Sequence, residues 1–285
     1  MTEAPDERIT RTAAWVATYR ATESARKDRL FDDPYAARFA VHEGLPSERG
    51  ADLAAAVVTA RTVTFDELIG LTLDEGRIDA VLCLACGYDT RPYRLTLPAT
   101  LTWIEADLPF VIQHKAERMA NAEGHCKVER FAGDLRDAGI RARLLARVAR
   151  DFQRVLVITE GLLLYLTDTE ARDLATALHD CTSVRYWLTD LMSPMARQRM
   201  NAAAAAQLNE AGTTLKFAPA AGASVFQAEG WDPVHVRPTF AEMRRLGRVP
   251  GLMLGLLMRI GTALSTVGLA TAGLDGTVLL RARKV

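Results

Sequence analysis

The stretch Val81-Leu-Cys-Leu-Ala-Cys-Gly-Tyr-Asp-Thr-Arg-Pro92 constrains this chain more than any other. Apolar residues run straight into a turn of small ones, Ala85, Cys86 and Gly87. This is the pattern of a buried parallel strand that turns sharply at the edge of a sheet. An acid, Asp107, follows Gly87 by 20 residues. Strand, small-residue turn and acid at that distance are the parts of an α/β nucleotide-type fold that hold a ribose and its adenosine. The turn is not G-x-G-x-x-G, so it lacks the repeated backbone amides that cradle a pyrophosphate. That argues against a dinucleotide and for an adenosine ligand without phosphates.

The same stretch contains Cys83-x-x-Cys86, a spacing that can mean zinc or redox chemistry. A zinc site needs a second ligand pair, and His114 and His125 have no matching spacing. The pair also starts inside the strand, not at a helix N-terminus. The reading is structural: Cys83 fills core, Cys86 is a small turn residue, no metal is expected, and all four cysteines are reduced in a cytoplasmic protein. Lys+Arg and Asp+Glu are both 35, so net charge is zero and gives no electrostatic footprint for nucleic acid or an anionic membrane. Residues 1–8 are polar and unlike a signal peptide. The longest apolar region, 249–274, is interrupted by Arg259 and diluted by glycines, so no membrane span is expected.

The 285 residues suit one large α/β domain with additions. Residues 10–22 read as an amphipathic helix with Ala13, Trp15, Val16 and Tyr19 roughly on one side. Asp33-Pro34 reads as an N-cap with proline at the first helical position. Residues 52–70 are a strong helix. From residue 80 strands and helices alternate. Strands are expected at 80–84, 101–105, 128–132, 155–159 and 184–191, with helices at 110–121, 135–150 and 168–180. That alternation implies a mostly parallel sheet with right-handed crossovers. After Pro194 the pattern loosens into an alanine helix at 202–206, a loop at 218–222, a strand at 233–236, a helix at 239–246 and a final strand at 276–283. Residues 1–75 read as an N-terminal helical cap. Residues 76–285 read as the sheet domain, with a lid insertion at about 194–232 after the fifth strand.

Ligands of open parallel sheets bind at the carboxyl ends of the strands. Asp107, Asp134 and Glu160 fall there, separated by 27 and 26 residues, one strand-helix unit each. All three should therefore share an edge with Gly87. Asp107 can accept from both ribose hydroxyls, and Asp134 from an adenine amine while the Leu135 N–H donates to the ring. Glu160 can accept from an ammonium group. The competing reading, that strand-end acids cap the next helix, suits Asp168. Glu105 competes with Asp107 but lies only 18 residues past Gly87. Arg61 shares the apolar stripe of its helix with Val57 and Phe65. It is either a bidentate carboxylate clamp or a rim salt bridge.

Four ordered motifs carry a family resemblance. They are Leu84-Ala-Cys-Gly-Tyr-Asp-Thr-Arg91, Glu105-Ala-Asp-Leu-Pro109 with Lys115, Gly133-Asp-Leu-Arg-Asp137 and Thr159-Glu-Gly-Leu-Leu-Leu-Tyr-Leu166. Together they resemble the leucine carboxyl methyltransferase family, including its bacterial branch linked to polyketide and other secondary metabolism. Arg11–Arg29 and Leu30-Phe-Asp-Asp-Pro34 look like the N-terminal portion of that branch. The resemblance implies a Rossmann-like methyltransferase fold with a mostly parallel seven-stranded sheet and helices on both faces. It also implies S-adenosyl-L-methionine as cofactor. By analogy Arg61 holds the methionine carboxylate, Ala85 and Gly87 line its backbone, and Asp107 binds the ribose. Asp134 and Leu135 take the adenine, and Glu160 the amino group. The family usually has glycine where this chain has Ala85.

The expected reaction is O-methylation of a small molecule, on a carboxyl group sooner than a hydroxyl. A carboxylate is already ionised at neutral pH, a hydroxyl needs a base, and no histidine occupies the motif segments. His179 reads as buried in a helix and His235 as part of a strand. Tyr165, Trp15 and Tyr19 are the expected substrate contacts. The rival readings are a protein C-terminal carboxyl methyltransferase and a non-catalytic S-adenosylmethionine-binding protein. The missing glycines disfavour a nicotinamide oxidoreductase.

Overall fold

The computed structural model describes residues 5–41, 48–203, 214–250 and 275–284. Seven strands form one sheet: β1 Ala80–Leu84, β2 Thr102–Asp107, β3 Lys127–Ala132, β4 Val155–Thr159, β5 Val184–Leu191, β6 Trp231–Pro238 and β7 Gly276–Ala282. Their order is β3-β2-β1-β4-β5-β7-β6. The first five run parallel, while β7 lies antiparallel between β5 and β6. Chain order reverses between β1 and β4, the switch point where such sheets leave a crevice.

The central strands are buried on both faces, so their sequences are continuous apolar runs instead of alternating ones. Alternate residues still divide between two cores. Leu82, Leu84, Val155 and Val157 pack with Leu144, Leu174 and Leu178 of α5 (Ala138–Asp151) and α6 (Asp168–Asp180). Val81, Cys83, Leu156 and Ile158 pack with Phe65 and Leu68 of α2 (Glu48–Gly76) and Ile112 of α4 (Pro109–Arg118). Helices therefore cover both faces.

Several expected elements change shape. Helix α1 runs Pro5–Ser24 and α2 runs past both expected ends. Strand β2 continues to Asp107, which is its last residue, not a residue beyond it. Helix α5 begins at Ala138, because Asp137 takes the cap and accepts from the Ile140 N–H at 2.9 Å. Asp33-Pro34 does not start an α-helix. The Asp33 carboxylate accepts from the N–H groups of Tyr35 and Ala36, closing a turn into a short 3-10 helix, Ala36–Arg38. Asp168 is not the cap of α6 either. Thr167 is, in a reciprocal capping box with Glu170.

After β5 come α7 (Pro194–Ala203) and a segment whose residues 216 and 217 return to the Leu164 carbonyl. Strand β6 begins at Trp231, inside the expected insertion, and leads into α8 (Thr239–Arg245). The alanine run past 203 and nearly all of the apolar region 249–274 lie outside the described residues. Among the described residues no helix is long and apolar enough to cross a membrane.

Candidate functional site

The turn after β1 is built from two left-handed residues, Ala85 at φ +50° and Gly87 at φ +45°. The second suits glycine; the first forces an L-residue into a region glycine favours. The turn is held to β2 by one carboxylate. Asp107 accepts from the Gly87 N–H through Oδ2 and from the Leu108 N–H through Oδ1, both at 2.7 Å. Each oxygen keeps acceptor capacity for a further donor. Burial pushes the Asp107 carboxyl above its usual range, against the two amides and Lys115. Glu105 has a different place. It is fully buried, pairing with Lys115 at 2.8 Å and Arg130 at 3.1 Å. It holds the fold under the turn, while Asp107 stands at the edge.

Asp134 lies just past β3, tied in by the Gly133 N–H, which donates to the Asp107 carbonyl at 2.9 Å. Its carboxylate is chelated by the Arg136 guanidinium at 2.7–3.1 Å, which holds it below the ordinary range. Leu135 packs against the α5–α6 core.

Glu160 follows β4 and sits between two guanidinium groups, Arg61 Nε at 2.9 Å and Arg91 Nη1 at 2.7 Å. Burial pushes Glu160 up, but Arg91 and Arg61 outweigh it and keep the carboxyl below its usual value. Arg61 is no rim salt bridge. Its Nη1 also reaches Asp190 at 3.0 Å, and Asp190 accepts from the Gly161 N–H at 2.7 Å. Arg91 opens the one-turn helix α3 (Arg91–Arg94) and bridges onward to Asp89 at 3.0 Å and Asp66 at 2.7 Å.

Sequence reasoning missed Asp190, Asp89, Asp66 and the role of Arg91. Asp190 was within reach, because it stands near the carboxyl end of β5 as Asp107 does on β2. The arginine partners were not, since their pairing crosses elements that no spacing links.

Helix α1 lies over this edge. A Cβ on Gly87 would come within 3.3 Å of the Ala13 Cβ, and Arg20 Nη2 donates to the Tyr88 carbonyl at 2.5 Å. The Tyr165 hydroxyl bonds Thr12 on α1, and burial raises its pKa. Tyr19 is buried, and its hydroxyl and the Trp15 indole N–H have no hydrogen-bond partner among the described residues. The structure thus brings Gly87, Asp107, Arg61, Glu160 and Tyr165 to one edge under α1. Asp134 stands at the same edge but is turned onto Arg136.

Six other groups lie elsewhere or are inert. His179 is partly exposed at the end of α6, the opposite edge from Glu160, with Nε2 3.0 Å from the Arg283 carbonyl. His235 lies on β6. All four cysteines are free and buried, and burial pushes the Cys83 and Cys86 thiols well up, away from reactive thiolates.

A 3-2-1-4-5-7-6 sheet with an acid-bonded turn after β1 defines a class: the Rossmann-like methyltransferase fold. The family model for leucine carboxyl methyltransferases matches residues 13–179, and this chain belongs to that family. A protein of Frankia alni named "Putative S-adenosyl-L-methionine-dependent methyltransferase" is 36% identical over 181 residues, 59% of this chain and 62% of its own length. One from Rhodococcus jostii, similarly named, is 39% identical over 137 residues, 44% and 46% of the two chains. The matched stretches thus span under two thirds of those relatives' lengths. The crystal structure of a putative methyltransferase from Thermobifida fusca shares the fold, with TM-score 0.58, 16% identity and coverage of 88% of this chain and 93% of its own. The crystal structure of a DUF574 family protein from Streptomyces avermitilis superimposes with TM-score 0.57, 12% identity and coverage of 93% of this chain and 96% of its own.

Proposed function

We propose that this chain is an S-adenosylmethionine-dependent O-methyltransferase that methylates a carboxyl group of a small molecule. The observation that carries the reading is the Arg61–Glu160 pair under the Gly87 turn, 2.9 Å apart. A guanidinium and a carboxylate side by side complement an amino-acid zwitterion, whose carboxylate and ammonium group carry the opposite signs. The other residues fit the same ligand. Gly87 leaves room for its backbone beside Ala85, and Asp107 has acceptor capacity for the ribose hydroxyls. The Leu135 N–H faces the adenine edge in this assignment, and Asp134 takes the adenine amine when Arg136 lets go.

Bound S-adenosylmethionine supplies a methyl group already activated on a sulfonium. What the protein adds is alignment and exclusion of water. Helix α1 and Tyr165 do both in this reading, with residues 1–75 as a cap and 194–232 as a lid. Trp15, Tyr19 and Tyr165 contact the acceptor. The two orphaned donors on α1 support that, because a buried donor without a partner is costly unless a ligand or water satisfies it. A carboxyl acceptor is favoured because a carboxylate is already ionised and needs no base; His179 and His235 lie away from this edge, and the histidine near it is His114, whose ring stands 5.4 Å from that of Tyr88 beside the Gly87 turn. The four free, buried thiols support a cytoplasmic setting, and a role in secondary metabolism rests on the family branch.

Methyl-labelled S-adenosylmethionine, offered with a panel of small carboxylic acids and phenols, tests the reading. Label released from product by mild base marks an ester, as expected. Base-stable label would point to a hydroxyl acceptor, and no labelled product from any acid would overturn the carboxyl assignment.

A further inference from the structure

Asp190 has no part in the assignments above, yet it touches two of their pieces. It is near the carboxyl end of β5, with its side chain 14% exposed. One oxygen accepts from the Gly161 N–H at 2.7 Å, and the other meets Arg61 Nη1 at 3.0 Å. Gly161 adjoins Glu160 and sits at φ +67°, with Arg61 Nη1 3.7 Å from where its Cβ would be. Asp190 therefore grips both halves of the zwitterion clamp: the arginine directly, and the glutamate through the backbone amide beside it.

We infer that Asp190 is the positioning residue of the methionine end of the cofactor site, fixing the Arg61 guanidinium and the Glu160–Gly161 turn in register. The inference rests on the cofactor reading above. The chemistry supports a positioning role over a catalytic one. Both Asp190 oxygens are engaged by the clamp itself, one by the Gly161 N–H and the other by Arg61 Nη1. Arg61 pairs its charge with Glu160, Nε lying 2.9 Å from Oε1, and donates Nη1 to Asp190, which leaves Nη2 for a ligand carboxylate. A guanidinium with one anchor can swing about it, whereas two anchors, one just past β4 and one on β5, set its plane. Burial raises the Asp190 carboxyl, against the pull of Arg61 and the Gly161 amide.

The test compares two nucleosides that differ only at the methionine end. S-adenosylhomocysteine carries the amino acid, and methylthioadenosine lacks it. Asp190→Ala should weaken S-adenosylhomocysteine by at least about 10-fold in calorimetry, since truncating one partner of a buried charge pair is costly. Methylthioadenosine affinity should change less than about 3-fold, within the scatter of a distant substitution. In an Arg61→Ala background the same substitution should add almost nothing. If Asp190→Ala does not fold, Asp190→Asn decides. It keeps an acceptor for Gly161 but sets N–H against N–H at Arg61, and the same selective loss is expected. Equal losses for both nucleosides, or no loss for either, overturn the inference. Wild-type protein that binds neither nucleoside overturns the cofactor reading itself, a result distinguishable from the others.

Discussion

Two residues at the β1 turn carry opposite lessons. Ala85 adopts φ +50°, where an L-residue costs roughly 1–2 kcal/mol. Ala85→Gly relieves that cost and loses part of it to a more flexible unfolded chain. A net stabilisation of up to about 1 kcal/mol is expected by denaturant titration, and a clear loss of stability would mean the Ala85 methyl packs usefully. Asp107 holds the turn with both oxygens, so Asp107→Ala should weaken S-adenosylmethionine binding by about 10-fold or more. Unchanged calorimetric affinity would remove it from the ribose site. The spacing from Gly87 made Asp107 legible. The strain at Ala85 was not, because a dihedral angle has no signature in residue type beyond the missing glycine.

Helix α1 is joined to the turn by a buried ionic network. Asp33 accepts from Thr90 Oγ1 at 2.7 Å and pairs with Arg20 Nε at 3.2 Å, while Arg94 reaches Asp66 at 2.7 Å. Removing one member of a buried pair leaves its partner charged and unsolvated, which costs about 3–5 kcal/mol. Asp33→Ala should therefore cost about that much in equilibrium unfolding, and a change below about 1 kcal/mol would show that the network holds nothing. Asp33-Pro34 looked like a helix start because an N-cap and a turn-closing carboxylate use the same bond, an oxygen accepting N–H groups two or three residues on. Only the tertiary partners Arg20 and Thr90 tell them apart. Strands β1, β4 and β5, and α6, were legible to the residue because their apolar runs end abruptly. The start of α5 was not, since Leu135 is apolar for the core and not for a helix face.

Across the molecule, zero net charge hides a dense buried set of paired ions. Burial pushes the Asp89 carboxyl up, but Arg91, Lys115 and Arg20 outweigh it and hold it far below its ordinary 3.8. Glu160 is depressed in the same way from 4.5. A carboxyl depressed in the folded state stabilises above its unfolded pKa, and that stability is lost as pH falls through the folded value. Thermal melts should hold steady down to about pH 5 with respect to these groups and fall steeply below about pH 4. Asp89→Asn should have a lower melting temperature at pH 7 and a shallower acid limb. Melts of the two proteins running parallel from pH 7 to 3 would contradict this. The parallel run of five strands follows from the alternation that the sequence displays, whereas the antiparallel β7 between β5 and β6 pairs with β5 across about 85 to 95 residues and leaves no periodic trace.

The central claim, that the edge of β1, β2 and β4 under α1 takes S-adenosylmethionine, is tested most directly by calorimetric titration of the wild-type chain with S-adenosylhomocysteine. One site per chain at micromolar strength or tighter is expected, with Arg61→Ala and Asp107→Ala each weakening it by about 10-fold or more. A flat titration of the folded wild-type protein would contradict it.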